Sequence, residues 1–142
     1  MAFHYIESFD DICRKAAKWL RPGGDFIFSV EHPVFTAQGP QKWHYGPDGS
    51  KLHWPVDSYF CQGLRKAVFL GEELVKYHRT VGAYISGLIS AGFKIRALVE
   101  PIPDEEMLFE NEDMLDELRR PMMLILAGRL PEPALACVLP NE

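Results

Sequence analysis

The chain is predicted to be an α/β domain. Amphipathic helical segments alternate with short apolar runs of strand character, and Gly or Pro turns separate them. The order reads helix, strand, long insertion, helix, strand, helix, strand, with no internal repeat and no low-complexity segment.

The first helix is expected over 8–20. Ser8 supplies an N-cap with Asp11 as its capping-box partner, and Asp10 and Asp11 suit the positive end of the helix dipole. Phe9, Ile12, Ala16, Trp19 and Leu20 share one face at helical spacing. Pro22 stops this helix and Gly23-Gly24 turns the chain. Residues 25–30 then read as a buried strand, which Glu31-His32-Pro33 ends because proline cannot donate to a ladder.

Residues 36–58 differ in character. Gly39-Pro40, Gly46-Pro47 and Asp48-Gly49 are turn dipeptides, with Trp43, Tyr45 and Trp54 set among them. A long loop with a short hairpin is expected, either a binding loop or a surface loop pinned by its aromatics. Two further strands, 59–68 and 73–78, flank Gly71.

Thr80 caps the next helix, whose Val81, Tyr84, Ile85, Leu88 and Ile89 follow i, i+3, i+4, i+7, i+8 spacing until Gly92 closes it. A strand over 93–99 ends at Glu100-Pro101. An acidic helix is expected over 104–118, burying Met107, Leu108, Met114, Leu115 and Leu118. Pro121 opens the last strand, 122–130, whose Met-Met-Leu-Ile-Leu-Ala run reads as buried on both faces. The tail, 131–142, carries three prolines and is expected to be loose.

Composition narrows the function classes. With 142 residues, 47% of them apolar and 25% charged, the chain suits one soluble globular domain rather than a disordered one. No run reaches the roughly 18 apolar residues of a membrane span, and the start lacks the basic and apolar regions of a secretory signal. Three cysteines with no CxxC pair fit a reduced, cytoplasmic compartment. The net charge of −5 is uneven: eight acids and no base lie between Asp104 and Glu117, and the rest carries 15 basic and 12 acidic residues. That run reads as a solvated helix face or an acidic partner-binding face. No basic cluster with interleaved aromatics points to nucleic acid.

Few residues carry a chemical signature. His4, His32, His44, His53 and His78 follow no metal-ligand spacing, so no metal is expected. There is no G-x-S-x-G elbow, no P-loop and no Gly-x-Gly, and Cys61, after two aromatics, is expected to be packed. Two clusters remain. Ser29-Val30-Glu31-His32-Pro33 lies at the carboxyl end of a predicted strand, where ligands bind in open α/β sheets. Lys76-Tyr77-His78-Arg79-Thr80 precedes a helix amino terminus, where Arg79 would add a fork for an anion. Each cluster also reads as a capping and packing junction.

Together these segments resemble a known family. Phe3-His4-Tyr5-Ile6, Leu20-Arg21-Pro22-Gly23-Gly24 and the run from Phe26 to Pro33 are similar to the carboxyl-terminal half of a class I S-adenosylmethionine-dependent methyltransferase of a bacterial small-molecule branch. Tyr77-His78-Arg79-Thr80, Ala91-Gly92-Phe93, Glu100-Pro101 and Arg120-Pro121-Met122 match later landmarks of that branch. The resemblance covers 1–130. It implies a partial Rossmann-like fold: the family's fifth, seventh and sixth strands in that order, with flanking helices and a substrate-side antiparallel insertion over 36–79. The family's last strand lies between the other two, antiparallel to both.

The resemblance also assigns residues. His4 and Tyr5 would lie near the methionine end of S-adenosylmethionine, and His32, Tyr59, Tyr77, His78 and Arg79 would face a small-molecule acceptor. His32 or His78 could act as a base, since histidine titrates near neutrality, but no catalytic residue is assigned. The family's glycine-rich cofactor loop and ribose-binding acid have no counterpart. The isolated chain is therefore expected to be inactive and not to bind the cofactor alone. The alternative is a non-enzymatic, truncated or split domain that binds a partner chain. Its first strand would keep an unpaired edge, so self-association, or pairing with a missing amino-terminal half, is expected.

Overall fold

The computed structural model describes residues 2–69 and 71–133. The predicted tail beyond Pro133, with Cys137, lies outside the described residues. A short 3-10 turn, Phe3–Tyr5, leads into helix α1 (Phe9–Trp19) and strand β1 (Asp25–Glu31). A four-residue helix α2 (Pro33–Thr36) opens the insertion, which holds two hairpins: β2 (His44–Tyr45) with β3 (Lys51–His53), and β4 (Gly63–Phe69) with β5 (Glu72–His78). Helix α3 (Val81–Ser90), strand β6 (Lys94–Val99), helix α4 (Glu105–Glu110), a 3-10 segment (Glu112–Leu118) and strand β7 (Met123–Arg129) complete the order.

The central sheet has the order β1-β7-β6, and β7 runs antiparallel to both neighbours. Its register with β1 runs without a break from Asp25 opposite Arg129 to Glu31 opposite Met123. A bulge between Ile95 and Ala97 interrupts the ladder to β6. Within the described residues β1 is an edge strand, with β7 on one side only.

The capping signals are realised. The Ser8 hydroxyl accepts from the Asp11 amide, and the Thr80 hydroxyl accepts from the Ala83 amide. Helices α1 and α3 pack on one face of the sheet around Phe9, Cys13, Phe28, Val30, Tyr84, Leu88, Phe93, Leu124 and Leu126. They approach closely at Gly87, where a Cβ would sit 3.2 Å from carbons of the Phe9 ring and 2.8 Å from an Asp10 oxygen. Gly71, at φ +85°, turns the β4–β5 hairpin in the left-handed region that glycine enters without a steric cost.

Several expectations need correction. Strand β1 is buried on one face only: Phe28 and Val30 are covered, while Ile27 is 65% exposed. Strand β7 likewise buries Leu124, Leu126 and Gly128 and leaves alternate positions half-buried, because no described helix covers the second face of the sheet. Trp19 and Ile89 fall just outside the helix stripes that meet the sheet and are exposed, and Cys61 is exposed rather than packed. Residues 59–62 precede β4 rather than forming its start.

The expected acidic helix is broken. It ends at Asn111, whose extended backbone (φ −145°) and side chain, accepting from the Asp113 amide, begin the 3-10 segment. Met107, Leu115 and Leu118 are exposed instead of forming a buried stripe. Like charges at i,i+4 destabilise a helix. Glu112 with Asp116, and Asp113 with Glu117, would be such pairs if the helix continued past Asn111, with no base between them.

Candidate functional site at the carboxyl edge of the sheet

Strands β1 and β6 end, and the antiparallel β7 begins, along one edge of the sheet, and the polar residues gather there. The rigid core below fixes their backbones. Glu31, the last residue of β1, is the hub. The Lys76 ammonium donates to both its oxygens at 2.7 and 2.9 Å and to Gln41 Oε1 at 3.1 Å, while Gln41 Nε2 donates to Glu31 at 3.2 Å. Lys76 is only 3% exposed. Burial of a charge at this level demands such pairing. It ties the β4–β5 hairpin to the central sheet.

His4 joins the same group. Its Nδ1 accepts from the Glu31 amide at 3.5 Å, its Nε2 lies 4.0 Å from Glu31 Oε1, and its ring lies 4.2 Å, centre to centre, from that of the half-exposed Tyr5.

His78 is fully buried, and both its ring nitrogens are engaged. Nε2 lies 2.9 Å from the Tyr59 carbonyl, which can only accept, so Nε2 carries the proton. Nδ1, 2.8 Å from the Thr36 hydroxyl, then accepts. His78 thus braces β5 against α2, and no lone pair is left for a base. His32 is similar on one side: Nδ1 accepts from the Val34 amide at 3.0 Å and caps α2, so neutral His32 also carries its proton on Nε2. That nitrogen lies 2.8 Å from the Glu100 carboxylate without hydrogen-bond geometry. In these tautomers the Nδ1 lone pair of each ring is already engaged, by the Val34 amide in His32 and by the Thr36 hydroxyl in His78.

The Arg79 fork is turned inward. It donates to the carbonyls of Phe3, Ile6, Glu7 and Tyr77 and lies near the rings of Phe9 and Tyr84. The α3 amino terminus is occupied as well, because the Tyr59 hydroxyl accepts from the Val81 amide at 3.1 Å. The expected anion subsite is therefore filled by the chain itself. Tyr77, His78 and Arg79 line one open cavity of about 420 Å³ together with Glu7 and Gln62, and His32 lines a different part of the edge, beside Glu100.

The long loop is pinned by its aromatics. Phe35 stacks on Trp54 at 5.0 Å, and Trp43 meets Trp54 edge-on at 5.4 Å. The Arg120 guanidinium lies 4.7, 5.5 and 4.5 Å from the Phe35, Trp43 and Trp54 rings. Arg119 holds the β2–β3 hairpin through the Lys51 and Leu52 carbonyls. In that hairpin His44 faces His53.

Gln41, Thr36, Glu100 and Arg120 escaped the sequence reading as site residues, while Glu31 and Lys76 stood in its two clusters without a role of their own. One signal for Lys76 was present: in β5 it shares the inward phase with Leu74 and His78, and a lysine in the buried phase of a strand requires a partner.

Burial lowers the titration of His4, His32 and His78 from the ordinary 6.5, with the Glu31 and Glu100 carboxylates and the Tyr59 carbonyl respectively offsetting part of the effect. Below that value the unfolded chain binds more protons than the folded one, so this stability is full above pH 6.5 and is lost as pH falls toward the folded values. Calorimetry should show a Tm several degrees lower at about pH 5.5 than at about pH 7.5, at roughly 2–4 °C per kcal/mol for a chain of this size. An equal or higher Tm in acid would contradict this.

Known proteins place this geometry. A Listeria monocytogenes structure, provisionally described as an S-adenosylmethionine-dependent methyltransferase, is 53% identical, with a TM-score of 0.86 over 93% of this chain and 59% of that one. An S-adenosylmethionine-dependent methyltransferase from Mesorhizobium loti is 36% identical, with a TM-score of 0.82 over 91% of this chain and 58% of that one. The chain has the fold of part of an S-adenosylmethionine-dependent methyltransferase. A Haemophilus influenzae protein described as uncharacterized is 30% identical over 132 residues, 92% of this chain and 52% of the relative. The chain thus spans about half to three fifths of the length of these relatives. No protein-family model matches it. No helix among the described residues is long and apolar enough to cross a membrane.

Proposed function

We propose that the chain is the carboxyl-terminal, acceptor-side portion of a methyltransferase domain that acts on a small molecule, and that it is inactive alone. The observation that carries this reading is the sheet: a last strand inserted antiparallel between two earlier ones, in a chain 53% identical to the Listeria protein. In such an enzyme the work of this half is positioning, holding an acceptor in line with the methyl donor. The described residues do not fit a whole S-adenosylmethionine site. His4 is turned toward Glu31, and Glu31, the carboxylate at the end of β1, is taken by Lys76 and Gln41 rather than free for a ribose. When bound, the cofactor supplies an electrophilic methyl group. The residues here would exclude water and orient the acceptor beside it.

A second, non-enzymatic reading is favoured by one feature. The free edge of β1 adjoins an uncovered sheet face bearing Ile27, Ala97, Val99 and Ile125. An apolar edge and face of this kind invite pairing with another chain, either a second copy or a segment like the part of the longer relatives that this chain does not span. The cytoplasm is the compartment proposed.

Isothermal titration with S-adenosylmethionine, with folding checked by circular dichroism and mass by light scattering, tests both readings together. A folded, self-associated chain that does not bind the cofactor is expected. Micromolar binding would overturn the incomplete-site reading, and a clean monomer at micromolar concentration would overturn self-association.

A further inference from the structure

His44 and His53 stand nine residues apart and match no metal-ligand spacing in the sequence. The β2–β3 hairpin removes that separation. The two residues are directly opposite in its ladder, both are exposed, and their ring centres lie 4.9 Å apart. His4, His32 and His78 are buried and spend ring nitrogens on the chain, whereas the rings of His44 and His53 make no hydrogen bond to the described residues.

The pair stands on a braced frame. Trp43 precedes His44, Trp54 follows His53, and the two indoles meet edge-on at 5.4 Å. Neighbouring side chains of a strand point to opposite faces, so the tryptophans anchor the hairpin on its inner side while the histidines stand on its solvent side. Trp54 donates to the Val34 carbonyl at 3.2 Å and stacks on Phe35. Beside His53, Arg119 donates to the Leu52 carbonyl at 2.7 Å, and Lys51 bonds Asp116 at 2.6 Å. Before His44, the Gln38 side chain donates to the Lys42 carbonyl at 2.9 Å. Bringing the two imidazoles onto one ligand therefore costs little further ordering of the chain.

Their spacing suits a shared metal ion. A zinc–imidazole bond is about 2.0–2.1 Å and the ring nitrogen lies about 1.1 Å from the ring centre, which puts the ion about 3.2 Å from each centre. With the two bonds between a right angle and the tetrahedral angle, the centres then lie about 4.5–5.2 Å apart. The observed 4.9 Å falls inside that range. The ring planes are 36° apart, and each exposed ring can turn about its last torsion to aim a nitrogen at the ion. Imidazole suits zinc, copper and nickel, whereas magnesium and calcium take oxygen ligands. We propose that His44 and His53 chelate one divalent transition-metal ion of the zinc class per chain. Among the described residues no third His, Cys, Asp or Glu joins the pair, so water fills the remaining positions. The site is separate from the sheet edge and does not rest on the methyltransferase reading.

Zinc is the probe, titrated into the full chain while the histidine ring resonances are followed by NMR. Saturable shifts of His44 and His53 together are expected, with one zinc per chain. The expected dissociation constant is on the order of 10–100 µM, weak for zinc because the protein supplies two of the usual four ligands. His44→Asn and His53→Asn, both at exposed positions, should each weaken zinc about 5-fold or more, and the double variant should bind about as weakly as either one, because a single imidazole forms no chelate. The wild-type shifts decide the matter even if a variant misfolds. Any of five results overturns the proposal: no saturation by about 1 mM zinc; shifts at only one ring of the pair, or at His4, His32 or His78 instead; a loss below about 5-fold in a folded single variant; magnesium bound as tightly as zinc; or one zinc per two chains, which would move the site to an interface between copies.

Discussion

Lys76→Ala is expected to lower the free energy of unfolding by about 3–5 kcal/mol, because it strands a buried carboxylate. The ammonium, 3% exposed, uses its three donors on Glu31 Oε1, Glu31 Oε2 and Gln41 Oε1. Glu31 is itself 15% exposed and would keep only Gln41 and the more distant His4 as partners. Removing one member of a buried pair costs far more than replacing both by apolar groups of similar volume. The double variant Lys76→Met, Glu31→Leu should therefore recover most of the loss. Urea unfolding at neutral pH measures both. A loss below about 1 kcal/mol for Lys76→Ala would place the pair with solvent-screened surface bridges instead. The pair also joins β5 to the end of β1, so hydrogen exchange in the β4–β5 hairpin should accelerate more than exchange in α3.

The features readable from the sequence were local ones. The Ser8 and Thr80 caps, the turn at Gly71 and the stop at Gly92 each depend on a few consecutive residues, and all are present. The strand order was not readable from periodicity. Nothing in the pattern of Met122 to Leu130 says that it pairs with both 25–31 and 94–99; that expectation came from the resemblance, and the register bears it out. One-sided burial was hidden because Ile27 and Ile125 are apolar on the uncovered face, so an alternating strand read as a continuous apolar run. The broken acidic helix was readable in principle from its like-charge spacing. The His78 brace was not, because its partners Thr36 and Tyr59 stand 42 and 19 residues away.

Arg79 is where the sequence and the fold part most, and it carries the second large effect. Beside a helix amino terminus it reads as an anion fork. In the structure the guanidinium, 9% exposed, is spent on the carbonyls of Phe3, Ile6, Glu7 and Tyr77. It is the staple between the entry to α3 and the segment before α1, which holds His4 and Tyr5 at the sheet edge. Arg79→Ala should cost about 2–4 kcal/mol, since hydrogen bonds from a charged group are worth roughly 1.5–3 kcal/mol and the freed carbonyls are partly able to rehydrate. Arg79→Lys should recover less than half, because a single ammonium on a flexible stem cannot reproduce a planar fork reaching several acceptors. Phosphate decides between staple and anion subsite. It should stabilise the wild-type chain against urea no more than it stabilises Arg79→Lys. A wild-type-specific gain that grows with phosphate would show that the fork leaves its carbonyls to take an anion, and with that the staple would be a gate on the cavity it shares with Glu7, Gln62 and Tyr77.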